Sequence, residues 1–366
     1  MKAAVITTVG DAFAIRDDLE LDRPGADEVL VDVKASGLCH SDYYVATTEI
    51  GQSLPAVLGH EVSGVVIEVG ANVVGFAAGD HVVACLAGFC GRCDRCLSGR
   101  SNLCRNYPAG TQRSPGDRSR LTLGGEAIAQ FSEVSGFAER VLLHQNNAVV
   151  IPHDVPFPQA AILGCGVTTG AGSAIRSAGV RVGEDVAVIG CGGVGLNTIQ
   201  GAALAGARKV IAVDIQPTKL ELASTKFGAT HTVNAADQDA VEAVRELTAG
   251  GVDHAFEVIG GIPRTLEQAV EMLAPGGTAY IVGAQPPTSA LAMPAANFLF
   301  QKTGLRGVFM GSTNFKVDIP LYAELYLQGR FNLDDLISRT IRLDEINEAY
   351  ADLAGGNVAR SMITSF

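Results

Sequence analysis

One hexapeptide constrains what this chain can fold into more than any other stretch. Gly190-Cys191-Gly192-Gly193-Val194-Gly195 follows an apolar strand-like run, 186–189, and opens a helix-like one, 193–205. Gly190 permits a tight turn, Gly192 lets the backbone approach a pyrophosphate, and Gly195 allows a helix to pack closely on a strand, while the helix N-terminus favours the anion. Such a motif alone is weak, because glycine turns without a ligand share it. Its context makes it informative. Asp214 ends the next strand candidate at about the 20-residue offset where a carboxylate accepts bonds from ribose hydroxyls, and its charge would repel the phosphate of NADP, so the expected cofactor is NAD.

The surrounding rhythm agrees with that reading. Strand candidates at 185–190, 209–214, 231–233, 253–258, 278–283 and 305–309 alternate with helix candidates at 193–205, 218–227, 240–247 and 263–273, the last ended by Pro275-Gly276-Gly277. Strand–helix alternation of this kind builds a doubly wound parallel sheet. Upstream, short β-type runs at 3–7, 28–35, 64–69, 81–85 and 138–143 are broken by Gly and Pro and describe a β-rich domain. The tail carries two amphipathic stretches, 319–327 and 344–353, and is too short for a core of its own. The expected organisation is an α/β protein in three segments: 1–165 as a β-rich catalytic domain, 166–309 as the dinucleotide-binding domain, and 310–366 returning to the first. A length of 366 residues suits two domains.

The net charge of −12 disfavours nucleic acid and anionic membrane as partners, and no run approaches the roughly 20 apolar residues of a membrane span. Met1-Lys2-Ala3-Ala4-Val5-Ile6 reads as a strand rather than a secretion signal. The expectation is a cytoplasmic protein whose eight cysteines serve as metal ligands or buried thiols rather than disulfides.

Four of them, Cys90, Cys93, Cys96 and Cys104, lie within the glycine-bearing loop 88–106. Four thiolates on pliable backbone close a tetrahedron around zinc and leave no open position, which is the requirement of a structural site. The spacings differ from those of ferredoxin clusters. Cys39-His40-Ser41-Asp42 and Gly59-His60-Glu61 are weaker signals, since a lone Gly-His-Glu is usually a turn with a buried histidine. Together with Cys165 they offer two thiolates and one imidazole, a zinc set with one position left for water or substrate.

The Gly-His-Glu segment, the four-cysteine loop, the Gly-Cys-Gly-Val-Thr-Thr-Gly stretch, the glycine hexapeptide and the Gly-Asn-Val-Ala-Arg tail occur in an order that resembles the zinc-dependent medium-chain alcohol dehydrogenases over essentially the whole chain. The resemblance implies that Cys39, His60 and Cys165 bind a catalytic zinc, with Glu61 beside it as an occasional ligand or as a base just outside the ligand set. It further implies that Asp42 orients His60 and that Ser41 accepts the proton of an alcohol. Thr169, Val194, Lys219, Val258, Val282 and Arg360 would line NAD, with Lys219 near the adenosine ribose and Arg360 near the pyrophosphate. His40 stands where many members carry a phosphate-binding arginine, and Tyr44 where the family's proton relay often has a histidine. A homodimer or homotetramer is implied, with 305–309 as a sheet-extending edge, and by the same resemblance Leu86 and Ala284 would border an alcohol pocket with room for a bulky or aromatic substrate.

Three other readings stay open at this point. A dehydrogenase for a thiol adduct of formaldehyde would need an anion-binding rim, for which Arg113, Arg118 and Arg120 are candidates against the plainer reading of a solvated loop. A non-enzymatic binding protein on the same fold would be expected to lose a zinc ligand or the hexapeptide. A zinc-free reductase would lack the cysteine loop.

Overall fold

The computed structural model describes residues 1–114, 116–286, 288–355 and 360–366, and of Asn297 the backbone alone. The chain forms two compact units, Met1–Cys165 with Asn314–Phe366, and Gly166–Thr313. The second boundary thus falls at 313/314, four residues beyond the change of rhythm at 309/310 in the sequence.

In the second unit, six parallel strands run in the order His231–Asn234, Lys209–Asp214, Asp185–Ile189, Val252–Glu257, Leu273–Ile281, Gly304–Gly307 among the described residues. The order reverses beside Asp185–Ile189, and it is at this switch point that such sheets bind ligands. Ala187, Ile189, Ile211, Val213, Val244, Val252 and Ala255 fill the core. Burying each of the larger ones is worth roughly 1.5–3 kcal/mol. The helix expected to run to Pro275-Gly276-Gly277 stops at Glu271, and those three residues lie inside the strand Leu273–Ile281. Leu273 pairs with Val252 across an irregular register, so pairing with the neighbouring strand overrides the Pro-Gly signal.

In the first unit the central strand Glu28–Gly37 pairs with Glu61–Val69, Arg140–His144 and Ser361–Ser365. The last pairing ties the tail to the first segment: Met362 faces Gly37, and Leu38 N–H donates to the Ser361 carbonyl. Strands Arg339–Arg342 and Ser361–Ser365 and the helices His40–Thr47, Phe157–Ile162 and Ala295–Gln301 have no counterpart in the periodicity of the sequence. The tail helices run Phe315–Leu327, through Pro320, and Ile346–Ala354. Among the described residues no helix is long and apolar enough to cross a membrane.

Candidate metal centres and cofactor site

Cys39 caps the helix His40–Thr47 just after the central strand, and His60 precedes the strand Glu61–Val69. Gly37 and Glu61 are register partners, and a Cβ at Gly37 would fall 2.2 Å from the Glu61 carboxylate, so glycine is what lets that side chain lie across the strand. Cys165 lies in the π-helical turn Leu163–Val167, a local widening that recurs at functional sites. Cys39, His60, Glu61 and Cys165 are all buried, and their ligand atoms lie within 4.8 Å of one another. His60 Nε2 is 3.2 Å from Cys165 Sγ, and its Nδ1 is 2.9 Å from Asp42 Oδ1, which also accepts from Gly59 N–H at 3.0 Å. The carboxylate therefore fixes the ring and leaves Nε2 facing the thiols.

The electrostatics suit a cation. Burial alone would lower the pKa of His60, but the charges of Asp42 and Cys39 outweigh it and hold it well above the usual range. Cys39 is drawn well below the ordinary thiol value by a hydrogen bond from Cys165 and by Arg360 and His60, while Cys165 is raised. Glu61 is pushed up to about 7 by burial, against the pull of Arg360. Surroundings that draw a proton onto an imidazole draw a metal ion in the same way. The donors fit zinc: two thiols, one oriented imidazole and one neighbouring carboxylate.

The four-cysteine loop differs in setting. Cys90, Cys93, Cys96 and Cys104 are partly exposed, with Cys93 Sγ 3.5 Å and Cys90 Sγ 4.0 Å from Cys96 Sγ. A tetrahedron with Zn–S of about 2.3 Å has S–S edges of roughly 3.8 Å. Backbone N–H groups of Cys90 and Asn106 donate to Cys104 Sγ at 3.3 and 3.4 Å. The amide of Arg92 leads the interactions that pull Cys90 down to about 6, whereas burial and Cys93 push Cys96 up to about 12.

In the second unit Gly190 has φ +103°, and a Cβ at Gly195 would fall 1.8 Å from the Gly190 carbonyl oxygen; both positions require glycine. A Cβ at Gly192 meets nothing within 4 Å, so the backbone there stands open to a ligand, at the cap of the helix Gly193–Ala205. Asp214 accepts from Cys191 N–H at 2.7 Å and Gln216 N–H at 2.9 Å, which holds its carboxylate beside the glycine turn. Thr169, Val194, Lys219, Val258 and Val282 are half-buried rather than core residues. Ile215 and Ile259, exposed by 64% and 46%, follow the C-terminal ends of strands flanking the hexapeptide and offer apolar surface to a ligand. Sequence reasoning passed over both, although an isoleucine directly after Asp214 was a usable signal.

Arg360, expected near a pyrophosphate, is held within its own unit by Glu61 and Leu38. It is 3% exposed, its guanidinium lies 3.2 Å from Glu61 Oε1, and Nη1 donates to the Leu38 carbonyl at 3.1 Å. A buried carboxylate without a cation is costly, and Arg360 supplies that cation. The Gly356-Asn357-Val358-Ala359 part of the tail motif lies outside the described residues. His40 is exposed in the first turn of its helix, Ser41 Oγ is 3.7 Å from Cys39 Sγ, and Tyr44 is half-buried one turn on.

The candidate anion rim is also corrected. Arg113 bonds Asp22 at 2.6 Å and Glu28 at 2.7 Å, and Arg120 bonds Glu28 at 2.7 Å and Glu133 at 2.9 Å. Two of the three arginines are thus held by carboxylates inside the unit, and Arg118, 82% exposed, sits 3.5 Å from Asp22. Burial pushes Glu28 up, but the two guanidiniums outweigh it and hold the carboxyl at about 2.

A fold and donor sets of this kind define a zinc-dependent dehydrogenase with a nicotinamide dinucleotide, and comparison with known proteins agrees. The alcohol dehydrogenase GroES-like domain family matches residues 25–153, and the zinc-binding dehydrogenase family matches residues 193–324. An NDMA-dependent alcohol dehydrogenase of Amycolatopsis methanolica is 38% identical, with 99% of this chain and 98% of that protein covered. Among solved structures, an alcohol dehydrogenase zinc-binding domain protein from Burkholderia ambifaria aligns at TM-score 0.94 with 39% identity, covering 100% of this chain and 98% of that one. The benzyl alcohol dehydrogenase of Acinetobacter calcoaceticus aligns at 0.92 with 36% identity, covering 100% and 99%. The chain belongs to the zinc-dependent medium-chain alcohol dehydrogenase family.

Proposed function

We propose that this chain interconverts an alcohol and its aldehyde or ketone with NAD, holding a catalytic zinc on Cys39, His60 and Cys165 and a structural zinc on Cys90, Cys93, Cys96 and Cys104. The observation that carries the reading is the buried cluster of Cys39, His60, Glu61 and Cys165 with His60 tied to Asp42. When bound, zinc supplies a Lewis acid that acidifies the alcohol, and NAD takes up the hydride. Ser41, on the exposed first turn of its helix, accepts the proton and passes it outward. Asp42 keeps the imidazole in one orientation, and Arg360 balances Glu61. Asp214 keeps lone pairs for ribose hydroxyls while its charge opposes an added phosphate, which supports NAD over NADP.

The thiol-adduct reading loses its support, because Arg113 and Arg120 are already paired within the unit. The benzyl alcohol relative, together with the modest side chains Leu86 and Ala284, favours a bulky or aromatic alcohol. The strand Gly304–Gly307, at the sheet edge among the described residues, with Leu299, Phe300 and Phe309 exposed nearby in the chain, favours a homodimer or homotetramer through sheet extension. A cytoplasmic location is proposed on composition alone.

The test combines zinc content with NAD and NADP reduction over a panel of alcohols. Two zinc ions per chain and NAD turnover with an aromatic alcohol are expected. Turnover that appears only when NDMA is the acceptor would replace free NAD exchange as the reading. No turnover with any alcohol and either acceptor would overturn it.

A further inference from the structure

Phe131 opens a segment bent by three residues that are not glycine. Ser132, Glu133 and Ser135 have φ of 54°, 60° and 61°, the left-handed region that residues with a Cβ avoid. Serine and glutamate do not favour this turn locally, so bonds to the rest of the unit must hold it. Ser135 Oγ donates to the Val57 carbonyl at 2.7 Å and accepts from Phe131 N–H at 2.8 Å. Glu133 accepts from Gln112 Nε2 at 2.7 Å and pairs with Arg120 at 2.9 Å. Arg120 is the hub: it also donates to Glu28 at 2.7 Å, Gln130 Oε1 at 2.8 Å and the Thr111 carbonyl at 2.6 Å. Arg120, Glu28 and Glu133 are all buried, so removing one charge leaves the others uncompensated.

What the turn positions is Phe131. Its ring meets the His60 imidazole edge-on, with centroids 6.2 Å apart and planes at 67°. It also lines an open cavity of about 630 Å³ with Leu54, Leu58 and Ile128 and with Arg113, Arg118 and Arg120 of the polar 112–121 segment. Phe131 therefore meets the proposed ligand His60 with its ring and also borders this cavity, and its placement depends on a left-handed turn that the Arg120 brace holds.

We infer that Arg120 is a positioning residue: through Glu133 it locks the left-handed turn that sets Phe131 against His60, and thereby fixes the size of alcohol the enzyme accepts. The inference rests on the reading of Cys39, His60 and Cys165 as the catalytic centre. Glu133→Gln keeps the volume and an acceptor for Gln112 but removes the ion pair, and Arg120→Met removes the hub. Steady-state kinetics with ethanol and benzyl alcohol are compared with the visible absorption of enzyme carrying cobalt at the catalytic site. In Glu133→Gln the ratio of kcat/KM for benzyl alcohol to that for ethanol is expected to fall about fivefold, through KM for the larger alcohol, with KM for NAD unchanged. Arg120→Met should go further, and the cobalt bands should shift as the imidazole loosens. A loss of stability alone would lower both alcohols alike. A ratio that rises or stays within about threefold of wild type, with unshifted bands, overturns the inference. Should Arg120→Met fail to fold, Glu133→Gln decides. Should the wild type oxidise neither alcohol, the cobalt bands of Glu133→Gln alone judge the brace, and the functional reading is judged separately by the wider alcohol and acceptor panel.

Discussion

The two cysteine-bearing centres are built in opposite ways. Cys90, Cys93, Cys96 and Cys104 come from one stretch of loop, stay partly exposed, and have backbone amides directed at their sulfurs. Cys39, His60 and Cys165 come from three distant stretches, are buried, and depend on Asp42, Arg360 and the strand pairing of the tail. A closed site can be local because it has only to hold a metal. An open site must also be dry and oriented, and that takes a folded surrounding.

The strongest way to break this contrast is Cys39→Ala. It should lower kcat/KM by about 10³-fold or more while the protein stays folded and retains the zinc proposed for the cysteine loop. Elemental analysis and circular dichroism check this, and loss of both metals would mean that the centres are coupled. Next in size is Asp214→Gly, which tests a third site that, like the cysteine loop, is encoded in a short stretch. The proposed preference for NAD over NADP, expected at about 2–4 kcal/mol or tens to hundreds in ratio, should largely vanish. Equal kcat/KM values for the two cofactors in the wild type would contradict the assignment. Asp42→Ala should weaken zinc retention at the buried centre by roughly 10–100-fold, read by chelator competition, and leave the cysteine loop loaded. Cys96→Ala should do the converse. Activity per folded subunit is expected to stay within about twofold, while the melting temperature drops by roughly 5–10 °C.

The smallest effect concerns the brace beside the buried centre. Glu28 is held at about 2 against an ordinary 4.5. A carboxyl depressed on folding adds stability that is fully present above the unfolded value and is lost as pH falls through the folded one. The melting temperature of Glu28→Gln should therefore lie below that of the wild type at pH 7, with the gap closing between about pH 4.5 and about pH 2. A gap independent of pH would show that Glu28 acts by packing rather than by charge.

Legibility followed the same division. The helix Ala240–Leu247 and the strand Lys209–Asp214 fall where periodicity puts them, because each is a run of adjacent residues whose pattern reports its own environment. The helix His40–Thr47 was invisible, with Tyr and Thr on a stretch without an apolar stripe; it forms where the chain leaves the central strand at Cys39. The arginines of the 111–120 segment looked free because Asp22 and Glu28, which hold Arg113 and help hold Arg120, lie 85 to 92 residues away.

By itself the sequence determined the glycine turn, the four-thiol loop and the alternation of strands and helices, since each follows from the steric and chemical properties of neighbouring residues. Only the tertiary structure decided that Arg360 faces Glu61, that Arg120 joins Glu28 to Glu133, and that a strained turn carries Phe131 to His60. These are pairings of charge and shape between residues far apart in the chain. Burial forces a charge or a polar group to find a partner but does not say which one, and the answer depends on where the folded backbone has placed every candidate.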